Sequence, residues 1–243
     1  MQQFSPQPQP APQKSGSKGL ILVGVALLVI GGGLILVVAL GVGGYLYYNS
    51  QGSGTAMAPV SSGSPSGTSS PSSSSSSPAE RPSPTPAQLA TLEGGKSITW
   101  SEAGITWTVP AKWSQHSADK TTFLARSPGT WEAASLIANL SPMSADFPTD
   151  TSLDAYHKQA MEQLGRGEVT EVKWLEIDGV RGVMWHEARP DDAEDPQRLQ
   201  WIGFRSYLGQ TQMVNIMLAS RGKDMPTHDD AMYAVLYSTK LGG

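Results

Sequence analysis

The sequence predicts an α+β architecture: an antiparallel β-sheet flanked by helices, preceded by one transmembrane helix and a disordered linker. Three observations predict it. An uncharged apolar run fills residues 19–48, a Ser/Pro-rich stretch fills 49–88, and from residue 89 onward short alternating stretches are interleaved with two segments of helical period. The 155 residues that follow the Ser/Pro stretch (243 − 88) suffice for one ordinary domain.

Residues 1–18 are Gln/Pro-rich and cannot bury apolar area, so a disordered tail is expected. From Gly19 to Tyr48 no charged residue occurs, and Leu, Val, Ile and Gly dominate. A membrane span needs about 20 such residues to cross roughly 30 Å of hydrocarbon, so this run spans even when tilted. Tyr45, Tyr47 and Tyr48 close it as an aromatic anchor. Lys14 and Lys18 precede the span, and no charge follows it until Glu80. The positive-inside rule therefore places the N-terminus in the cytoplasm and the C-terminal domain outside, giving a single-pass protein of the cell membrane. A cleaved signal peptide, with Ala56-Met57-Ala58 at the cut, is the alternative. Against it, signal h-regions run only about 7–15 residues, and Pro59 would follow the cut directly.

Residues 50–88 hold 15 Ser, 7 Pro and 4 Gly, and a coil of that length has an end-to-end distance of about 35 Å. The stretch reads as a flexible stalk able to hold the domain clear of the headgroups. The absence of Cys excludes disulfide frameworks, zinc–thiolate sites and Cys nucleophiles. A net charge of −4 and a pI near 5.5 argue against nucleic-acid binding.

Within the domain, assigned to 89–243, Ile105, Trp107 and Val109 alternate with Thr106 and Thr108 in a strand ended by Pro110. Phe123–Arg126 and Ser135–Leu140 read as two more strands. A helix follows, capped by Asp150 or Thr151, with Leu153, Tyr156, Ala160 and Leu164 on one stripe and Gly165 at its end. Four strands come next, Val169–Ile177, Val180–Arg189, Arg198–Leu208 and Gln210–Leu218. Asp178-Gly179 and Gly209 supply the tight turns. A last helix starts near Thr227, with Asp230 completing a capping box, and places Met232, Val235, Leu236 and Thr239 on one face.

The stretch Gly104-Ile-Thr-Trp-Thr-Val-Pro-Ala-Lys-Trp113 resembles the opening of the PsbP-like superfamily, an amphipathic strand followed by Pro, two residues and Trp. The helix after Phe147, the Asp178-Gly-Val-Arg-Gly182 hairpin, the long strand pair and the final helix leading to Tyr237-Ser-Thr-Lys-Leu241 follow the same order. The resemblance covers residues 97–241. It implies an α/β/α sandwich around an antiparallel sheet and a role in binding or assembly, with no shared catalytic motif and no functional residue to carry over.

Several motifs invite chemistry. Ala90-Thr-Leu-Glu-Gly-Gly-Lys-Ser97 fits a relaxed phosphate-loop pattern, but a stalk precedes it and a strand follows, the wrong context for that loop. Gly165-Arg-Gly167 follows a helix and leads into a strand, so it reads as a helix end rather than a dinucleotide turn. Of His116, His157, His186 and His228, no pair has helical zinc spacing, and His186 has an acid, Glu187, beside it in a strand that runs into an acidic loop. Asp191, Asp192, Glu194 and Asp195 cluster in a loop between Pro190 and Pro196; they offer hard oxygens for a cation such as Ca²⁺ but lack EF-hand spacing. All seven Trp lie in the domain. Trp185 and Trp201 share their strands with Arg181, Arg189 and Arg205, so Trp185, Arg189, Trp201 and Arg205 are expected on a partly open face suited to binding. Asn139-Leu-Ser141 matches a glycosylation sequon but sits in an expected strand.

The residues thus lead first to a membrane-tethered, non-enzymatic binding or assembly domain outside the membrane, with a protein or cell-envelope component as partner and no cofactor. An envelope hydrolase using His186 with the acidic loop, and a glycan-binding module using Trp185 and Trp201, remain as alternatives.

Overall fold

The computed structural model describes residues 78–130 and 132–242. The expected cytoplasmic tail, the membrane span and the linker up to residue 77 lie outside the described residues, as does Trp131. Among the described residues no helix is long and apolar enough to cross a membrane.

The chain enters as a short helix α1 (Pro86–Thr91) and a two-stranded hairpin, β1 (Lys96–Trp100) with β2 (Ile105–Val109). Then come β3 (Ser114–Ala118), β4 (Thr122–Arg126), β5 (Ser135–Pro142), helix α2 (Thr149–Gly165), β6 (Val169–Ile177), β7 (Val180–Glu187), β8 (Pro196–Tyr207), β9 (Gln210–Arg221) and helix α3 (Met225–Tyr237). β3 to β9 form one sheet, antiparallel throughout, in the order β3-β4-β5-β9-β8-β7-β6.

Strand alternation divides the sheet into two faces. The inner face carries Phe123, Leu136, Ala138, Leu175, Met184, Leu199, Trp201, Val214 and Ile216. The β1–β2 hairpin and α3 cover it, bringing Trp100, Trp107, Met232, Val235 and Leu236 into the same core. Trp107 stacks on Phe123 with ring centroids 4.8 Å apart. The opposite face carries Trp174, Val183, Ile202 and Met213, and α2 lies on it through Leu153, Tyr156 and His157. Helices on both faces of an antiparallel sheet are the arrangement expected from the sequence.

Departures from expectation have local causes. β3 is an exposed, polar edge strand with a bulge between Gln115 and Ser117, so no hydrophobic alternation announces it. Helix α2 starts two or three residues early, at Thr149: Pro148 takes the cap position without a side-chain bond, and Asp150 lies in the first turn. Helix α3 starts at Met225, because Asp224 turns its carboxylate to Arg221 and the capping box at Thr227 does not form. The β8–β9 turn places Leu208 at φ 49° with its side chain 88% exposed, a backbone conformation normally left to Gly or Asn.

The end of the Ser/Pro stretch is also structured, which corrects the linker boundary at residue 88. Glu80 adds one parallel bridge to the outer edge of β6: its N–H donates to the Trp174 carbonyl at 2.9 Å, and its carbonyl accepts from Glu176 N–H at 2.7 Å. Pro78 and Pro82 flank the bridge and cannot donate further, so the segment blunts an edge that would otherwise invite pairing. Thr85 then caps α1 in a reciprocal capping box with Gln88. A chain beginning at Leu89 loses this cap, worth about 1 kcal/mol, and two backbone bonds of about 1 kcal/mol each. Thermal unfolding of a chain beginning at Leu89 should therefore fall at least about 4 °C below that of one beginning at Pro78; equal midpoints would show that the segment contributes nothing.

Candidate functional site

The register settles where the expected binding residues go. Met184 pairs with Trp201, and Trp185 with Gln200, so Trp185 and Trp201 point to opposite faces of the sheet. Trp201 is fully buried on the inner face, and its Nε1 donates to the Leu175 carbonyl at 3.0 Å. Its ring occupies the space over Gly182 and Gly203, where a Cβ on either would collide with it. Arg205 is buried too. Its guanidinium donates to the carbonyls of Leu241 and Ala103 and to Gln212 Oε1, and it stacks on Tyr207 at 4.3 Å. It therefore ties β8 to the loop after β1 and to the segment after α3. The expectation of an open face is corrected for both residues: Arg205 reads as a surface residue only when its buried carbonyl partners are not in view. Trp185 is half-buried on the α2 face, and Arg189 is exposed beyond the end of β7.

The acidic loop does not assemble as a cation site. Among the described residues no group of three or more His, Asp or Glu side chains is placed to hold a metal ion. Glu194 instead accepts from Arg221 at 2.9 Å and from Lys223, and these bonds hold its carboxyl below the ordinary range, Lys223 contributing most. Asp192 Oδ1 accepts from the Glu194 N–H at 2.9 Å. Backbone bonds from Gly222 to Asp195 and from Lys223 to Ala193 fasten the loop to the β9–α3 turn, where Arg221 also pairs with Asp224 at 2.6 Å. Asp191, Asp192 and Asp195 stay exposed on this frame.

The densest chemistry lies elsewhere, where the N-terminal half of α3 crosses β6 and β7. Glu171 and Lys173 occupy the inward phase of β6 together with Leu175 and Ile177, and His186 is in phase with Met184. Asp229 and Tyr233, one turn apart on α3, descend onto them. Tyr233 donates its hydroxyl proton to Glu171 Oε2, and the Tyr233 oxygen lies 3.4 Å from His186 Nδ1. His186 Nε2 faces Asp229 Oδ1 at 3.6 Å, and both atoms are buried without a hydrogen-bond partner. Lys173 Nζ lies 2.7 Å from Glu171 Oε1 and 3.2 Å from the Tyr237 hydroxyl. Burial pushes the Tyr233 phenol far up, with the Glu171 bond adding to the effect. Burial also raises the Asp229 carboxyl, helped by Asp230 and Glu171, and lowers the His186 imidazole against the pull of Asp229 and Glu171.

His186 is thus joined to α3 and β6, and the pairing with the acidic loop on which a hydrolase reading rested is not made. Sequence reasoning passed over Glu171, Lys173, Asp229 and Tyr233. The signal was present: two charges stand in the buried phase of β6, a pattern that requires a polar partner overhead. On the opposite face His157 stacks on Trp174 at 4.6 Å and Arg181 lies over the same ring at 3.6 Å, so these three side chains are spent on packing α2.

No family model matches the chain, and no curated protein matches it. Among solved structures it is similar to LpqN of Mycobacterium tuberculosis, described as involved in cell envelope biogenesis, at 12% identity and TM-score 0.44, covering 61% of this chain and 86% of that one. It is similar to the cyanobacterial PsbP of Synechocystis at 11% identity and TM-score 0.40, covering 60% of this chain and 92% of that one. A Bacteroides thetaiotaomicron crystal structure matches at 9% identity and TM-score 0.39 over 60% of this chain, which spans 48% of that protein's length. The antiparallel sheet of β3 to β9 with helices on both faces is the α+β arrangement that the resemblance from Gly104 onward implied. At these scores the likeness carries no activity, ligand or partner across.

The burial of Trp201 and Arg205 sets a test. Trp201→Ala should destabilise the domain by about 3–5 kcal/mol. Arg205→Ala should cost about 1–3 kcal/mol for the buried acceptors it leaves unpaired. Chemical denaturation checks both, and a folded Trp201→Ala domain of native stability would return that residue to the surface.

Proposed function

We propose that the chain is a membrane-tethered, non-enzymatic binding or assembly domain, held outside the membrane with its N-terminus in the cytoplasm, and that it recognises a protein or another cell-envelope component. The observation that supports this most is how the reactive side chains are used. Tyr233 bonds to Glu171 and reaches His186, Lys173 pairs with Glu171, and Asp229 faces His186, so these side chains clasp α3 to the sheet and their capacity goes into holding the fold. The loop between β7 and β8, by contrast, is cross-braced from below and presents Arg189, Asp191, Asp192 and Asp195 to solvent. A braced, exposed rim loses little entropy on binding. The domain carries 14 basic and 20 acidic residues from Leu89 to Gly243, a net of −6, which favours a neutral or basic partner over anionic headgroups. The tether rests on the uncharged run 19–48 and on Lys14 and Lys18 before it.

Two measurements test the proposal. Protease added to intact cells or spheroplasts should release the domain by cutting in the Ser/Pro stretch, and protection until the membrane is permeabilised would reverse the orientation. Replacing Arg189, Asp191 and Asp192 together by Ala should weaken capture of the envelope partner at least about tenfold, as expected when central charged contacts are lost, while circular dichroism stays native. Undiminished capture by that folded variant would move the interface off the rim.

A further inference from the structure

Two hairpins at one end of the sheet close with the same turn but not with the same residues. Asp178-Gly179 joins β6 to β7 with φ of 50° and 82°, and Leu208-Gly209 joins β8 to β9 with φ of 49° and 78°. Positive φ at both positions calls for Asp, Asn or Gly in first place, because other side chains crowd their own backbone there. Asp178 obeys that rule and spends its carboxylate on the Leu241 N–H and on Lys240. Leu208 breaks it and gains no packing: at 88% it is the most exposed large apolar side chain among the described residues. A residue held in a strained conformation with no partner in its own chain points to a use outside it.

We infer that Leu208 is a lipid anchor: the tip of the β8–β9 hairpin inserts this side chain into the interface of a neutral bilayer and seats the domain on the membrane that tethers it. The tip projects. The ladder with β7 ends at Gly182 and Gly203 and the ladder with β5 at Pro142 and Gln212, whereas β8 and β9 stay paired out to Tyr207 and Gln210. From Ser206 to Gln212 no residue is charged. β8 is 12 residues long, so the acidic loop at its other end stands about 35 Å from the tip. Seating the tip therefore turns those carboxylates away from the headgroups and toward the space where a partner is met. The net charge of −6 over residues 89–243 disfavours anionic headgroups, which is why the surface is a neutral one.

The smallness of the contact decides for lipid over a protein partner. A stable protein interface takes roughly 800 Å² from each side, and Ser206, Gly209 and Gln210 around Leu208 add no apolar surface. A bilayer requires no complementary patch. Burying one leucine shifts an equilibrium roughly ten- to a hundredfold. That is too little to recruit a free domain but enough to bias one already held at the surface. The reach also fits, because the 28 residues from 50 to 77 (77 − 49) span about 30 Å as a coil. The chain then joins the sheet beside Trp174 and Glu176, at the tip end of β6. The inference rests on the membrane tether proposed above.

The chain has no Cys, so Gln210→Cys and Asp191→Cys each place a single fluorophore, one at the tip and one at the rim. The full chain is reconstituted in phosphatidylcholine vesicles whose acyl chains carry a nitroxide quencher. The tip label should be quenched more strongly than the rim label. Leu208→Asn should lower the tip's docked-to-free ratio at least about tenfold, while its thermal unfolding midpoint stays equal or rises because Asn suits the turn. Flotation with the vesicles reads the tether by itself. A chain that does not float removes the tether proposal and this inference with it, whereas a floating chain with an unquenched tip removes this inference alone. Equal quenching at tip and rim, or quenching unchanged in Leu208→Asn, overturns it. So does a lowered midpoint in that variant, which would make Leu208 a packing residue, and so does a tip that lipid leaves unquenched but added envelope protein shields.

Discussion

A single indole sets the shape of the inner layer. Trp201 leans from β8 across β7 and reaches the Leu175 carbonyl of β6, and it can do so only because Gly182 and Gly203 leave its ring bare sheet to lie on. With that ring flat, the surface above it accepts the β1–β2 hairpin, whose Trp107 stacks on Phe123, and α3 settles beside the hairpin with Met232, Val235 and Leu236 turned down. A residue with a Cβ at either glycine would lift the indole, break its bond to β6 and separate the hairpin from the sheet. The aromatic content that invites a ligand-binding reading is thus mostly mortar between layers.

Around this apolar centre the polar side chains act as ties between elements distant in sequence. Arg205 reaches the carbonyls of Ala103 and Leu241, Asp178 accepts from the Leu241 N–H at 2.8 Å, and Ser238 bonds to both backbone groups of Thr108. The Glu171–Tyr233 contact does the same for α3. Each tie is buried or nearly so, where an unmade bond is costly, so together they fix one arrangement of hairpin, helix and sheet.

Much of the fold was legible in the sequence, because its long strands and two longer helices carry their periods plainly. The inward stripe of Met232, Val235 and Leu236 could be read from spacing alone, and the Asp178-Gly179 turn from its dipeptide. What could not be read follows from tertiary pairing. The polar β3 has no pattern of its own and exists because β4 lies beside it. Glu80 becomes part of a sheet only through an edge formed a hundred residues later. Whether Trp201 and Arg205 are open or closed depends on a hairpin from the far end of the domain. Asp229 and His186 meet because α3 folds back over β7, and no local signal announces that meeting.

The two backbone bonds between Thr106 and Lys240 have a consequence for how the protein is made. The β1–β2 hairpin emerges early in synthesis, yet its apolar side has no cover until β8, β9 and α3 exist and the chain beyond Tyr237 has returned to seal it. Domain folding therefore cannot run to completion until the chain through Lys240 has emerged. A nascent chain carries incompletely covered Trp100 and Trp107 until then, and a stop before β8, β9 and α3 leaves them unshielded. Truncated products should be held by chaperones or degraded rather than accumulate as smaller folded pieces.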